Sequence, residues 1–231
     1  MLNLKDPKVL TLAGAISGIT LLLGFTQWGF VPLPTPAGAA TIMHLPTIIG
    51  GIVLGPLFGG LVGLIFGLIT VLYFSHIAPF WVLIPARPFI GIVSGLVYLG
   101  LYDILGKSEK RKVYSSFVLS LIIFLFLFWL GNKYLSQFIY IWLIVDYLIS
   151  VLCFQVLKDK NPEIVSISIA SFLGSWTNTV GTLGLAVLFG VFNFETALSV
   201  AILHGVPESI LAVIVCTPTS IAIRRFLRRE V

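Results

Sequence analysis

Charge is what this chain has least of. Only 10% of its 231 residues are Asp, Glu, Lys or Arg, against 58% hydrophobic, and the mean hydropathy is +1.08. A soluble domain cannot hide that much apolar surface, so the composition excludes the soluble classes and points to a membrane protein. Cysteine is scarce as well: Cys153 and Cys216 both lie inside apolar runs. That placement argues against disulfide or metal roles and for small buried hydrophobes. No G-x-x-x-x-G-K-[ST] phosphate loop is present, so the chain does not hydrolyse ATP by that device. No small-residue cleavage site ends the run from Leu2 to Phe25. Further apolar runs follow at once, so that stretch reads as a retained first helix rather than a signal peptide.

The few charges present are strongly ordered. Twelve of the 14 Lys and Arg residues fall in four patches: Lys5/Lys8, Lys107/Lys110/Arg111/Lys112, Lys158/Lys160 and Arg224/Arg225/Arg228/Arg229. An even number of apolar segments separates consecutive patches, so all four can face one side, and cytoplasmic loops collect Lys and Arg. The net charge of +5 is accounted for by these patches, and no nucleic-acid partner is expected. Two cations stand apart: Lys133, in a short opposite loop, and Arg87, beside a proline-broken helix start.

Spanning hydrocarbon takes about 20 apolar residues. Eight segments are expected, near 9–26, 41–55, 57–76, 86–105, 113–131, 135–157, 163–191 and 196–223. The fold class is therefore all-α, a polytopic membrane bundle in a single integral domain with both termini inside. Gly55-Pro56 predicts a tight turn that makes the second and third helices an antiparallel hairpin. Gly51, Gly55, Gly59, Gly60, Gly63 and Gly67 recur at intervals that let helix backbones approach closely in lipid. The stretch Pro32-Leu-Pro-Thr-Pro-Ala-Gly-Ala-Ala40 cannot be helical throughout and is too apolar for a solvated linker, so it is expected to fold back over the outer mouth. Segment 113–157, rich in Phe, Leu and Ile and poor in glycine, reads as a lipid-facing hairpin added to a core of 9–105 and 163–223.

Ionisable and polar groups at membrane depth are costly and call for a partner or a task. Arg87 lies in Ile84-Pro-Ala-Arg-Pro-Phe89, where its planar fork suits a carboxylate entering from outside. It also suits a snorkelling cation paired with carbonyls or lipid phosphate. Asn178, in Gly174-Ser-Trp-Thr-Asn-Thr179, must face the bundle interior, where it holds either a neighbouring helix or a ligand amide or hydroxyl. His204 and Glu208 stand one turn apart on one face, with Gly205 and Pro207 loosening the backbone between them. An i, i+4 pair can chelate a metal, but only His44 and His76 remain to complete a set. A ligand contact or an interhelical polar pair is the expected role, and no metal is.

The run Ile42-Met-His-Leu-Pro-Thr-Ile-Ile-Gly-Gly-Ile-Val-Leu-Gly-Pro-Leu-Phe-Gly-Gly-Leu-Val-Gly-Leu-Ile-Phe-Gly-Leu68, with Pro85-Ala-Arg-Pro-Phe-Ile-Gly91 and Thr177-Asn-Thr179, resembles the S components of energy-coupling-factor vitamin transporters. It is most similar to the pantothenate-type branch. The hairpin 113–157 departs from the usual six-helix S component. The resemblance implies a multi-pass protein of the prokaryotic cell membrane, not an enzyme and without a cofactor. Such a protein binds a vitamin in an outward-facing pocket roofed by the loop after the first helix. It then topples on a partner scaffold, the T component, with two ATPase subunits. Applied to this chain, Arg87 pairs with the vitamin's carboxylate, and Asn178 with Glu208 or His204 binds hydroxyl or amide groups. Gln27, Trp28 and His44 help to close the outer mouth. Family members dock through small residues on the first helix, typically Ala-x-x-x-Ala; here Ala13/Ser17 and Gly14/Gly18 offer that spacing. From a different class, the alternative is a proton-driven secondary transporter with Glu208 or Asp146 as carrier. Against it stand the lack of an internal repeat and the scarcity of membrane carboxylates.

Overall fold

The computed structural model describes residues 6–106, 108–134 and 139–228. Lys5, Lys107, Arg229 and the expected start of the sixth segment at 135 lie outside the described residues. In chain order the elements are α1 (Pro7–Phe25), β1 (Phe30–Pro32), β2 (Ala39–Thr41), α2 (His44–Leu54), α3 (Pro56–Phe74), α4 (Phe80–Leu83), α5 (Ala86–Gly106), α6 (Glu109–Tyr134), α7 (Ile139–Asp159), α8 (Pro162–Leu188), α9 (Phe194–Val200), a π-helical turn (Ala201–Gly205) and α10 (Val206–Arg228). Among the described residues, six helical stretches are long and apolar enough to cross a membrane: Pro7–Phe25, Pro56–Phe74, Phe80–Gly106, Lys112–Trp129, Tyr140–Asp159 and Phe194–Arg228. The architecture is a polytopic helical membrane bundle. The second expected segment is shorter than anticipated. At 11 residues, α2 spans about 16 Å, roughly half the hydrocarbon thickness, and all of its residues are buried.

Two compact units are present, one drawn from 1–99 with 167–231 and the other from 100–166. In the first, Asp6 caps α1: its side chain accepts from the Lys8 N–H at 2.9 Å, and Pro7 occupies the first turn, where its missing N–H costs nothing. Gln27 ends α1 by adopting a left-handed conformation (φ 61°), and the Gly29 N–H then reaches back to the Leu23 carbonyl at 2.8 Å. Val9, Ala13 and Ile16 of α1 pack into a core shared with Ile48 and Ile52 of α2, Val62 and Phe66 of α3, Ile90 of α5, Ile167 of α8 and Ala212 of α10. Ala13 therefore faces the interior, and the sequence expectation that it offers a docking surface is corrected. Gly14 and Gly18 point the other way, with nothing within 4 Å of a Cβ built on either, and Ser17 is half-buried between the two faces.

Gly55 makes the α2–α3 turn with φ 107°, a conformation open to glycine at little cost, and Pro56 starts α3 directly after it. The antiparallel hairpin then meets α5 at Gly51, Gly59 and Gly91. A Cβ on Gly59 would lie 2.7 Å from the Gly91 Cα, and one on Gly51 would run into the Gly91 carbonyl oxygen. At the far end of α2, Pro56 has no N–H to give the Ile52 carbonyl four residues earlier. Arg224 of α10 supplies the donor instead, its Nη1 lying 3.3 Å from that oxygen, while its Cζ stacks 4.6 Å from the centre of the Tyr98 ring on α5. One cation thus ties three helices together.

In the second unit α6 and α7 form an antiparallel pair. Trp142 Nε1 donates to the Leu127 carbonyl at 2.8 Å, Ser120 Oγ donates to the Ser150 carbonyl at 2.7 Å, and Ser150 Oγ donates to Asp146 Oδ1 at 3.4 Å. Hydrogen bonds to backbone at these positions hold the pair together where lipid offers no hydrophobic drive.

Because the three-glycine contact leaves no room for a methyl group, Gly91→Ala should cost about 2 kcal/mol and lower the melting temperature of the detergent-solubilised protein by roughly 4–8 °C. Gly14→Ala, in open space, should leave it unchanged or raise it by about 2 °C. Equal melting temperatures for the two variants would show that α2, α3 and α5 do not meet this closely.

Candidate functional site

The cavity of the first unit is walled by α3, α4, α5, α8 and the α9–α10 segment, and roofed by the β1–β2 ribbon. The ribbon pairs Phe30 with Thr41, Val31 with Ala40 and Pro32 with Ala39. This is the prolyl stretch that could not be helical; three-residue strands flanked by proline and closed at Gly38 (φ 77°) satisfy its backbone instead. The sequence expectation of a fold-back is met here by a strand pair, which puts Phe30, Ala37, Ala39 and Thr41 over the cavity.

Arg87 enters from the first turn of α5. Its approach depends on α3, where a Cβ on Gly63 would strike the Arg87 carbonyl and one on Gly67 would press on Arg87 Cγ at 3.3 Å. The guanidinium lies 4.5 Å from the centroid of the buried Phe66 ring, a cation–π contact, and its Nη1 donates to Asn178 Oδ1 on α8. Its Nε is buried with no partner among the described residues, and so is the Thr182 hydroxyl, one turn after Asn178. Both residues line the cavity. Buried donors left unmade are costly, and two of them belong to residues of this one cavity wall.

Glu208 and His204 come from the start of α10 and the π-helical turn before it, and the Glu208 side chain shares Asn178 with Arg87. The π turn forms where Gly205 and Pro207 weaken the regular ladder, and such insertions recur at functional sites. Glu208 Oε1 accepts from the Thr41 N–H at 2.7 Å, and Thr35 Oγ1 lies 2.9 Å from His204 Nε2. Two hydrogen bonds therefore fasten the ribbon to the helix on which these cavity groups stand. The cavity presents a guanidinium and a carboxylate that both hydrogen-bond Asn178, together with apolar surface from Phe74, Ile77, Leu183 and Phe192.

Of the residues singled out in the sequence, Arg87, Asn178, His204 and Glu208 line this cavity; His44, Trp28 and Gln27 do not. His44 is fully buried at the start of α2, with Nε2 3.4 Å from Ser175 Oγ of α8, so its partner is another helix. Trp28 is 76% exposed and Gln27 is also exposed, its backbone spent on ending α1. The sequence reading missed Thr182 and Thr41. Thr182 follows Asn178 by four residues, a helical spacing that carried the signal. Thr41 acts through its backbone N–H and has no side-chain signature. Arg224 lies 16 residues beyond Glu208 on α10, which is about 24 Å along a helix. Arg87 and the basic end of α10 are thus at opposite ends of the first unit.

Residues 8–220 match the model of the family described as "ECF transporter, substrate-specific component". A search of curated proteins finds no match. With nearly the whole chain matched and a polytopic helical bundle enclosing a binding cavity, the chain belongs to the substrate-specific component family of ECF transporters: it is a multi-pass plasma-membrane subunit that binds substrate for an ECF importer, working with T-component and ATPase modules, and is not an enzyme.

Proposed function

We propose that the cavity beneath the β1–β2 ribbon binds a small carboxylated vitamin, with pantothenate the first candidate, and that the chain delivers it as the S component of an ATP-driven ABC importer. The observation that carries the reading is Arg87: a buried guanidinium, with an Nε that has no partner among the described residues, lining a largely apolar cavity. A carboxylate is the ligand group that matches a planar donor fork in a dry site. Asn178 and Thr182 flank it on α8, and Glu208 with His204 accept or donate to hydroxyl and amide groups of the ligand. Charge distribution orients the molecule, since the basic ends of the helices mark the cytoplasmic side and the cavity then opens outward. In that orientation the ribbon is the outer roof. On α1, Gly14 and Gly18 form an open strip on which the helix of a T component can rest closely, and Ser17 borders it.

Arg87→Ala should weaken binding of radiolabelled pantothenate to the purified protein by about 1.5–3 kcal/mol, tenfold to a hundredfold in Kd, because a charged hydrogen bond in a dry site is lost. Arg87→Lys should restore only part of it, the ammonium lacking the fork. Unchanged affinity in Arg87→Ala would remove the carboxylate from this site. Mass spectrometry of the small molecule that co-purifies with wild type checks the vitamin itself.

For the roof, Thr35→Val removes one neutral hydrogen bond to His204 and should speed ligand release about fivefold, corresponding to about 1 kcal/mol. Stopped-flow dissociation reads this directly, and an unaltered rate would mean the ribbon is not what retains the ligand. Gly14→Leu combined with Gly18→Leu should leave ligand affinity intact while abolishing ATP-dependent uptake in cells that carry the T component and both ATPases. Normal uptake by that variant would place the coupling surface elsewhere.

A further inference from the structure

The second unit has a groove of its own, unconnected with the reading proposed above. It opens where the first turns of α6 run beside the last turns of α7, and Lys110, Val113, Tyr114, Phe117, Phe154 and Glu109 line it. Its floor is accessible: Tyr114 is 71% and Phe117 57% exposed. Among the described residues its cations stand at one end. Lys110 is on the rim, and Lys158 holds its Nζ 5.9 Å from the centroid of the Phe154 ring that forms part of the floor. Arg111, Lys112 and Lys160 follow at the same helix ends in the sequence, against Glu109 and Asp159. Glu109 sits in the first turn of α6, where a carboxylate complements the helix dipole, so the excess at this end is positive.

We propose that this groove is a binding site for one anionic phospholipid, whose headgroup phosphate lies between Lys110 and Lys158 and whose acyl chain runs over Phe117 and Phe154. The form of the site selects the occupant. A partner helix would need apolar surface along its length and no cations, and a soluble phosphate would need the cations and no apolar floor. An amphiphile with one negative end uses both. Basic pockets between transmembrane helices on the cytoplasmic side take anionic headgroups in this way, and each Lys near an anionic surface adds to the attraction until salt screens it. The aromatic floor meets the remainder of the lipid by area burial alone.

Native mass spectrometry of the full-length protein, purified in mild detergent and given equimolar phosphatidylglycerol and phosphatidylcholine with identical acyl chains, tests the assignment. One phosphatidylglycerol should be retained at least tenfold in excess of phosphatidylcholine. Lys110→Gln with Lys158→Gln should reduce that preference to less than threefold, whereas Arg225→Gln with Arg228→Gln should keep it. Equal retention of the two lipids by wild type overturns the proposal without reference to any variant, so a misfolded variant cannot shield it. Equal loss of preference in both double variants overturns it as well, because the effect would then belong to net charge. Displacement of the lipid by glycerol phosphate as readily as by phosphatidylglycerol also overturns it, since the apolar floor would then contribute nothing.

Discussion

The binding unit rests on a close approach of three helices that only glycine allows. Gly51, Gly59 and Gly91 bring α2, α3 and α5 into backbone contact, and in lipid such contact supplies the van der Waals packing that water would otherwise drive. Its consequences reach the cavity. With α3 and α5 this close, Gly63 and Gly67 accept the first turn of α5, and Arg87 is held against Phe66 and Asn178 rather than released toward the membrane. A guanidinium at that depth is tolerable because its surroundings are specified on several sides.

The backbone imposes a parallel constraint. Every N–H and C=O near hydrocarbon needs a partner, and the places where regular helix fails are the places where the chain has built something. Pro56 breaks a bond and Arg224 replaces it, tying the basic end of the unit together. The prolines between 32 and 36 exclude helix, and a strand pair roofs the cavity. Gly205 and Pro207 loosen α10, and a π-helical turn sets His204 and Glu208 against the ribbon. Two of these three irregular stretches border the cavity, and the third lies at the other end of the unit.

How far the cavity could be anticipated depended on contrast. Arg87, Asn178, His204 and Glu208 stand out because their neighbours are apolar. His44 stands out equally, yet it reaches Ser175 in the bundle interior and not the cavity, because an apolar background shows that a polar group is enclosed but not which enclosed surface it meets. Ala13 and Gly14 posed a similar problem. Adjacent residues on a helix differ by about 100° in direction, and composition alone did not say which of them faces the core. Thr41 and Thr35 matter through a backbone N–H and a hydroxyl on a loop, groups that nearly every sequence contains.

What belongs to the sequence by itself is the class of molecule. Long, uniformly apolar runs require a helical membrane bundle, because such a run pairs its backbone within itself only as a helix. Glycine and proline placed the α2–α3 turn within the chain before any contact was known. Which residues share a cavity was decided by tertiary structure. Arg87 and Asn178 are 91 residues apart, and Thr41 and Glu208 are 167 apart. No local rule links such distant positions; helix packing at the shared glycines and the fold-back of the ribbon bring them within hydrogen-bond reach.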